Sequence, residues 1–337
     1  MLQCASIRLQ GKKYRIETRD SWRLTLEHLP AKPAVSKKYP VIFVHGFMAN
    51  RKSFKVAEKK SLAYQLQRQG YDVWLLDLRG REDARRVGWF FGKHTYTYSL
   101  DDYVRHDLDR AISFVTEQTG RPKVNVIGHS MGGLIPYIAI GTYNESRIAN
   151  LVTIASPGMM TPANRGVTFM YKMKGGMVMF PVMPIETLSH TAGFFHMPPI
   201  PKEVAITLYN PKNLSNKVEN KLMRKGVNNV SKKVLHQFIR AIQTGSMYSA
   251  DGKINYTKNL VNIKIPVLAI AGRKDNFVTT SNVRYTYSKI GSADKTLKII
   301  GRATGARSDY GHTDLVVGKR VHKEVNPIII NWLARGN

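Results

Sequence analysis

A serine flanked by glycines is the strongest chemical signal in the sequence. Ser130 lies at the centre of the segment 128–132, Gly-His-Ser-Met-Gly, which directly follows an apolar run that ends at Ile127. In a tight turn from a strand into a helix, Gly128 and Gly132 would avoid collisions with neighbouring backbone, and the serine hydroxyl would project above the sheet. The start of the following helix offers backbone N–H groups to a developing oxyanion. The pattern predicts a nucleophilic serine that attacks acyl carbonyl groups.

A second loop is expected to complete the site around that oxyanion. The segment His45-Gly46-Phe47 directly follows the apolar run 41–44, and the loop after such a strand supplies an oxyanion donor when a serine lies in a turn of this kind. We expect the backbone N–H groups of Phe47 and Met131 to be the two donors. His45 could act as a base, but a histidine further along the chain fits that role better, so a structural role for His45 is favoured.

An acid and a base follow the serine in the order that a Ser-acid-His triad requires. Asp275 comes shortly after the apolar run 267–270, where a carboxylate would lie at the C-terminal edge of a parallel sheet. His312 lies in the loop after the last apolar run, 297–300. Taken singly, an aspartate in a surface turn and a structural histidine are ordinary features. Together, in this order, they predict that His312 deprotonates Ser130 and that Asp275 orients His312.

Alternating strands and helices must position these residues. Before the first parallel strand, residues 5–29 alternate around a polar turn, which predicts an antiparallel hairpin. Short continuous apolar runs, typical of strands buried on both faces, occur at 41–44, 73–76, 124–127, 151–154, 267–270 and 297–300. Helical segments are expected near 58–69, 101–118, 131–142 and 320–334, the last with a kink at Pro327. The predicted class is α/β, with a mostly parallel sheet, an N-terminal antiparallel hairpin and helices on both faces.

The stretch 158–260 breaks this alternation. It is too long to be a loop in a compact domain, so we expect an inserted helical cap, or lid, over a core made of 1–157 and 261–337. The first half of the stretch is rich in methionine and phenylalanine, which suit an apolar acyl chain and equally suit packing of the cap on the core. The candidate substrate-lining residues are Met159, Met160, Phe169, Phe180, Phe194 and Phe195.

Composition adds a strong positive charge. Lys and Arg total 52 against 23 Asp and Glu, which gives a formal net charge of +29. The basic residues are scattered and form no nucleic-acid-binding motif, so a solvated basic surface is favoured, with weak association with an anionic membrane as the alternative.

Cys4 is the only cysteine, which excludes an intrachain disulfide. No apolar run could span a membrane and residues 1–30 show no signal peptide, so we expect a cytoplasmic protein, or a secreted one whose signal has been removed.

The chain resembles the acid-lipase branch of the α/β-hydrolases and its bacterial relatives. The resemblance rests on three segments ahead of the nucleophile and on Gly-His-Thr-Asp at 311–314, and it covers about 39–157 and 262–334. The three segments are 77–80, 98–103 and 107–115. The resemblance implies hydrolysis of carboxylic esters of fatty acids without a metal or an organic cofactor.

Three functions follow from these residues. The first is a lipase or esterase that hydrolyses carboxylic esters through an acyl-enzyme on Ser130. The second is an acyltransferase or polyester-type enzyme, which would use the same acyl-serine and deliver the acyl group to an alcohol. The third is a non-catalytic binding protein, which should lack a triad member, and none is missing. Epoxide hydrolases and dehalogenases of this fold need a carboxylate nucleophile, which Ser130 excludes.

Overall fold

A single sheet of nine strands organises the part of the chain that the computed structural model describes, namely residues 11–32, 39–81, 84–86, 96–160, 189 and 206–335. The strands are β1 (Lys12–Glu17), β2 (Trp22–Leu29), β3 (Val41–Val44), β4 (Val73–Asp77), β5 (Arg85–Arg86), β6 (Val124–His129), β7 (Ile148–Ile154), β8 (Val267–Gly272) and β9 (Lys295–Ile300). Their order is β1-β2-β4-β3-β6-β7-β8-β9, and β5 pairs with β2.

The direction of the strands confirms the predicted class. Pairing is parallel from β4 through β3, β6, β7 and β8 to β9, whereas β1 pairs with β2, and β2 with β4, in antiparallel fashion. The carboxyl ends of parallel strands meet at one edge of a sheet. Loops that follow β3, β6, β8 and β9 therefore reach the same edge, and these are the loops that carry the predicted site residues.

Helices surround the sheet. They are α1 (Leu62–Arg68), α2 (Leu100–Asp102), α3 (Asp109–Thr119), α4 (Met131–Tyr143), α5 (Asn216–Lys225), α6 (Lys232–Thr244), α7 (Thr280–Lys289), α8 (Asp314–Val317), α9 (Val321–Glu324) and α10 (Asn326–Ala334). A π-helix, Tyr103–Leu108, joins α2 to α3. The C-terminal helix predicted to bend at Pro327 is instead divided into α9 and α10. Pro327 occupies the first turn of α10, where its missing N–H costs nothing.

Alternating side chains of the central strands divide the core into two layers. Ile42 and Val44 of β3 pack in one apolar cluster with Leu134 of α4. Val41 and Phe43 of the same strand pack in the other, which also contains apolar residues of α1 and α10. Successive residues of a strand point to opposite faces, so this division confirms that helices cover both faces of the sheet.

The described part of the predicted cap contains two helices, α5 and α6. Helix α6 buries Val234, Phe238 and Ile242, which lie at helical spacing, and they join the same apolar cluster as α4. The assignment of 158–260 as a separate cap stays a prediction. Within the described residues, none of the helices combines the length and the apolarity needed to cross a membrane.

A buried ion pair fixes the loop after β4. Arg79 donates from its backbone N to Asp107 Oδ2 and from Nε to Asp107 Oδ1, both at 2.8 Å. Its Nη1 also donates to Asp20 Oδ2 at 2.6 Å. Arg79 and Asp107 are fully buried. These bonds tie the loop after β4 to the π-helix that precedes α3.

We predict that Asp107→Ala lowers the free energy of unfolding by about 3–5 kcal/mol. The substitution leaves the buried Arg79 guanidinium with a single carboxylate partner, Asp20, which is partly exposed. Asp109→Ala is the matched control: its partly exposed ion pair with Arg147 should contribute less than about 1 kcal/mol. Urea unfolding measures both values. Equal losses in the two variants would contradict the role given to Asp107.

Candidate active site

Ser130 occupies a backbone conformation that few serines adopt. It lies between β6 and α4 with φ 56° and ψ −124°, and such a conformation costs on the order of 1–3 kcal/mol. The flanking glycines permit close approach: a Cβ on Gly128 would lie 2.1 Å from the carbonyl oxygen of Gly132, and a Cβ on Gly132 would lie 2.0 Å from that of Val44. The Ser130 N–H donates to Ile154 O at 2.8 Å. The turn is therefore held by the strands on both sides of β6.

Asp275 and His312 form a buried hydrogen-bonded pair. His312 Nδ1 lies 2.8 Å from Asp275 Oδ2, and the side chains are almost fully buried. Asp275 Oδ1 accepts from the backbone N–H groups of Phe277 and Val278, both at 2.8 Å. A carboxylate anchored in this way accepts a proton-bearing Nδ1, so Nε2 of His312 is the nitrogen that is free to act as a base.

His129 joins the histidine loop to the serine turn. Its Nε2 lies 3.2 Å from the carbonyl oxygen of His312, which makes it the donor. The His129 and His312 ring centroids are 4.7 Å apart, and the Phe277 ring lies 5.0 Å from that of His312. Since His129 directly precedes Ser130, these contacts bring the loop after β9 against the turn after β6.

Asp314 holds the histidine loop from the other side. Both of its carboxylate oxygens accept from the N–H of Gly311, at 3.0 and 3.1 Å. The same carboxylate accepts from the Asn210 backbone N–H at 3.0 Å and from Asn213 Nδ2 at 2.6 Å. Its role as an anchor for the loop was not predicted, although the spacing Gly-His-Thr-Asp was the available signal.

The loop after β3 lies at the serine. A Cβ on Gly46 would be 3.2 Å from Ser130 Cβ, and Phe47 and Met131 are both buried. His45 is fully buried, and both of its ring nitrogens bind backbone: Nε2 accepts from the Leu78 N–H at 3.2 Å, and Nδ1 donates to Gly46 O at 2.9 Å. His45 thus shapes the turn, which agrees with the structural role favoured from the sequence.

The described cap candidates lie directly after β7. Met160 is buried and Met159 is partly buried, and Met159 Sδ lies 3.6 Å from Asn282 Nδ2 of α7. Contact with a substrate stays a prediction for both residues. The other four candidates, Phe169, Phe180, Phe194 and Phe195, lie outside the described residues.

One group within the described ranges has ligand atoms close enough to hold a metal ion: Asp20, Asp102 and His106. Both carboxylates already accept hydrogen bonds. Arg79 donates to Asp20, and Ser99 donates to Asp102 from its backbone and its hydroxyl. The group is better explained as part of the ion-pair network of the loop after β4.

Burial next to the His312 ring lowers the pKa of His129 to about 3. We therefore predict that the folded state becomes less stable as the pH falls. The folded state keeps this imidazole neutral, whereas the unfolded chain protonates it near pH 6.5, so stability present above pH 6.5 is lost as the pH falls. The contribution lost between pH 7 and pH 5 is about 2 kcal/mol. His129→Gln should lose correspondingly less stability over this interval than the wild type in urea unfolding.

His236→Gln is the control for this prediction, because His236 is exposed on α6, and it should keep the pH dependence of the wild type. His45 contributes in the same direction, because burial lowers its pKa well below the usual value. An unchanged pH dependence in His129→Gln would contradict the account of a buried neutral imidazole.

Comparison with known proteins connects this geometry to a family. The family described as serine aminopeptidase, S33, matches residues 36–304. A tear acid lipase-like protein of Mesocricetus auratus is 23% identical over 351 residues, which cover 95% of this chain and 86% of that protein. Human gastric triacylglycerol lipase is 30% identical over 139 residues, and the alignment covers 39% of this chain and only 35% of the lipase.

Solved structures show the same fold. An esterase from Exiguobacterium antarcticum superposes with a TM-score of 0.61 at 15% identity, covering 96% of this chain and 100% of its own. A bacterial membrane phospholipase A gives a TM-score of 0.62 at 15% identity, covering 97% of this chain and 86% of its own. The family match spans most of the chain and the fold agrees with it; the protein therefore belongs to the serine aminopeptidase S33 family of α/β-hydrolases and is a hydrolase.

Proposed function

We propose that the protein hydrolyses carboxylic esters through an acyl-enzyme on Ser130, with His312 as general base and acid and Asp275 as the residue that orients it. The observation that carries this proposal is the strained Ser130 turn joined, through His129, to the loop of a buried His312–Asp275 pair. A structural serine would not require the backbone strain, and a structural histidine would not require an anchored carboxylate.

The proposed reaction has two halves. His312 Nε2 takes the proton of Ser130 Oγ while Oγ attacks the ester carbonyl carbon, and Asp275 stabilises the resulting imidazolium. The carbonyl oxygen becomes an oxyanion that accepts from the N–H groups of Phe47 and Met131, each worth about 2.7–4 kcal/mol. His312 then protonates the leaving alcohol. Water, activated by the same base, attacks the acyl-serine and releases the acid.

Ester hydrolysis fits the site better than removal of an N-terminal amino acid. An aminopeptidase needs a free carboxylate for the substrate ammonium group. Within the described ranges, the two buried carboxylates of the catalytic loops, Asp275 and Asp314, are already engaged by N–H donors. The relatives reported above include lipases and an esterase. These observations support an ester substrate. That its acyl chain is apolar and lies against Met159 and Met160 is a separate part of the proposal, which rests on the apolar character of these residues.

We predict that Ser130→Ala and His312→Ala each lower kcat by at least about 10⁴-fold on p-nitrophenyl esters, because either change removes the nucleophile–base unit. His236→Ala, a matched histidine exposed on α6, should keep wild-type turnover. Wild-type kcat/KM should rise from acetate to long acyl esters.

Three results would count against this prediction. Full turnover in Ser130→Ala would exclude Ser130 as the nucleophile. A preference for acetate would remove the acyl-binding role of Met159 and Met160. Faster cleavage of an aminoacyl p-nitroanilide than of any ester would favour a peptidase.

Acyl transfer is the second candidate. A poly(3-hydroxyalkanoate) polymerase subunit of Haloferax mediterranei is 24% identical over 331 residues, covering 93% of this chain and 62% of that protein. Hydrolysis and acyl transfer share the acyl-serine and differ in the acceptor, which is water in the first and an alcohol in the second.

We predict that added butanol diverts less than half of the acyl groups from acid to butyl ester, as measured by chromatography of the products. Near-complete diversion at dilute alcohol would contradict hydrolysis as the main reaction.

A further inference from the structure

Arg81 is a fully buried cation directly behind the oxyanion loop, the segment 45–48. Its Nη2 donates to the carbonyl oxygen of Phe47 at 2.6 Å, and its Nη1 donates to the carbonyl oxygen of Asn229 at 2.7 Å. A longer contact of 3.4 Å joins Nη1 to Gly80 O. The side chain thus connects two distant segments of the chain through their backbones.

The pairing of Arg81 differs from that of the other two fully buried arginines. Arg51 binds Glu27 and Asp77, and Arg79 binds Asp107 and Asp20. Among the described residues, no carboxylate accepts a hydrogen bond from Arg81, and its Nε has no partner.

Burial of a guanidinium is costly, and within the described residues no hydrogen-bonded carboxylate offsets that cost for Arg81, although the more distant charge of Asp77 favours its protonated form. Carbonyl acceptors offset only part of that cost. A function that needs the two carbonyls held in place would account for an arginine at this position, whereas packing alone would be served by an apolar side chain.

The segment that Arg81 reaches also holds the oxyanion loop directly. The Asn228 N–H donates to Met48 O at 2.8 Å, and Ala49 pairs with Val227 in an antiparallel bridge. Asn50 Nδ2 donates to Asn228 Oδ1 at 2.6 Å and to the carbonyl oxygen of Lys225 at 2.8 Å. The segment 225–229 connects α5 to α6, so the described part of the predicted cap is bonded to the loop beside the nucleophile.

The oxyanion loop needs such a restraint because of Gly46. This glycine lies so close to Ser130 that a side chain would crowd the nucleophile, and a glycine leaves the backbone unusually free. The N–H of Phe47 follows that glycine directly. A developing oxyanion is stabilised best by donors that are already aimed at it. The peptide group that carries the Phe47 N–H is held through Gly46 O, which accepts from His45 Nδ1 at 2.9 Å and from the Ala49 N–H at 3.2 Å. Arg81 adds a restraint on the other side of Phe47, through the Phe47 carbonyl oxygen.

We propose that Arg81 is a positioning residue for the reaction, which clamps the Phe47 carbonyl to segment 225–229 and so aims the Phe47 N–H at the oxyanion. This inference rests on the proposed function, because it takes Phe47 as an oxyanion donor. Arg81 makes no contact with substrate in this proposal. Loss of the Arg81 side chain should therefore lower kcat and leave KM nearly unchanged.

The test compares four proteins: the wild type, Arg81→Met, Arg81→Lys and Arg147→Met. Arg147 is the matched control, because it bonds Glu145 and Asp109 next to the amino end of β7, at the edge of the sheet opposite the site. Methionine keeps the length of the arginine stem but cannot donate. Lysine keeps the charge, but its single ammonium cannot reproduce the planar fork of the guanidinium.

On a p-nitrophenyl ester, Arg81→Met should lose about tenfold to a hundredfold in kcat, less than removal of a whole oxyanion donor, with KM within about threefold. Arg81→Lys should fall between it and the wild type, and Arg147→Met should keep wild-type kcat. Wild-type kcat in folded Arg81→Met, or a change confined to KM, would overturn the proposal. If Arg81→Met does not fold, the kcat of Arg81→Lys decides in the same way.

Hydrogen–deuterium exchange separates this inference from the proposed function. In Arg81→Met, or in Arg81→Lys if the former does not fold, amides of segments 45–50 and 225–230 should exchange faster, while those of β6 should not change. Unchanged exchange in both segments would overturn the positioning role whatever the activity. Faster exchange together with a wild type that cleaves no ester would overturn the proposed function but not the restraint on the loop.

Discussion

The backbone of the turn between β6 and α4 is the constraint on which the rest of the structure depends. Ser130 has a positive φ that costs on the order of 1–3 kcal/mol. The two strands next to β6, namely β3 and β7, maintain this conformation. The carbonyl oxygen of Val44 lies where a side chain on Gly132 would be, and Ile154 accepts the Ser130 N–H. Neighbouring strands therefore hold the serine, and the site exists only when the central sheet is assembled.

The groups around the serine are fixed before any substrate arrives. Two histidines, His45 and His129, are kept neutral by burial, and the carboxylates of Asp275 and Asp314 are anchored by N–H donors. Dipoles that need no reorganisation during the reaction are the main source of electrostatic stabilisation in enzymes. The net charge of +29 acts at longer range, on encounters with anionic partners, and is independent of this local arrangement.

The sequence predicted the features that depend on local spacing. Apolar runs located the strands because parallel strands are buried on both faces, and glycine spacing located the turn because steric crowding acts between near neighbours. Helix α7 was not predicted: of its ten residues only Val283, Asn282 and Thr286 are buried, so it has almost no apolar periodicity. The division between α9 and α10 was also missed, since a proline fits either a kink or a first turn.

Contacts between distant segments could not be predicted. Arg81 and Asn229 are separated by 148 residues, and His129 and His312 by 183. The periodicity and spacing of residues along the chain do not indicate such pairs, because these contacts depend on how the sheet brings the ends of distant loops together. The sequence therefore predicted candidates for the reactive groups and missed the residues that hold their loops, among them Asp314 and Arg81.

Covalent labelling with a fluorophosphonate, followed by peptide mass spectrometry, tests the central claim most directly. The reagent phosphonylates a serine only when a base activates it and an oxyanion hole receives the phosphonyl oxygen. We expect one adduct per chain, on the peptide that contains Ser130, and no adduct in His312→Ala. An adduct on another residue, or equal labelling of Ser130 without His312, would contradict the assignment of Ser130, His312 and Asp275 as a catalytic triad.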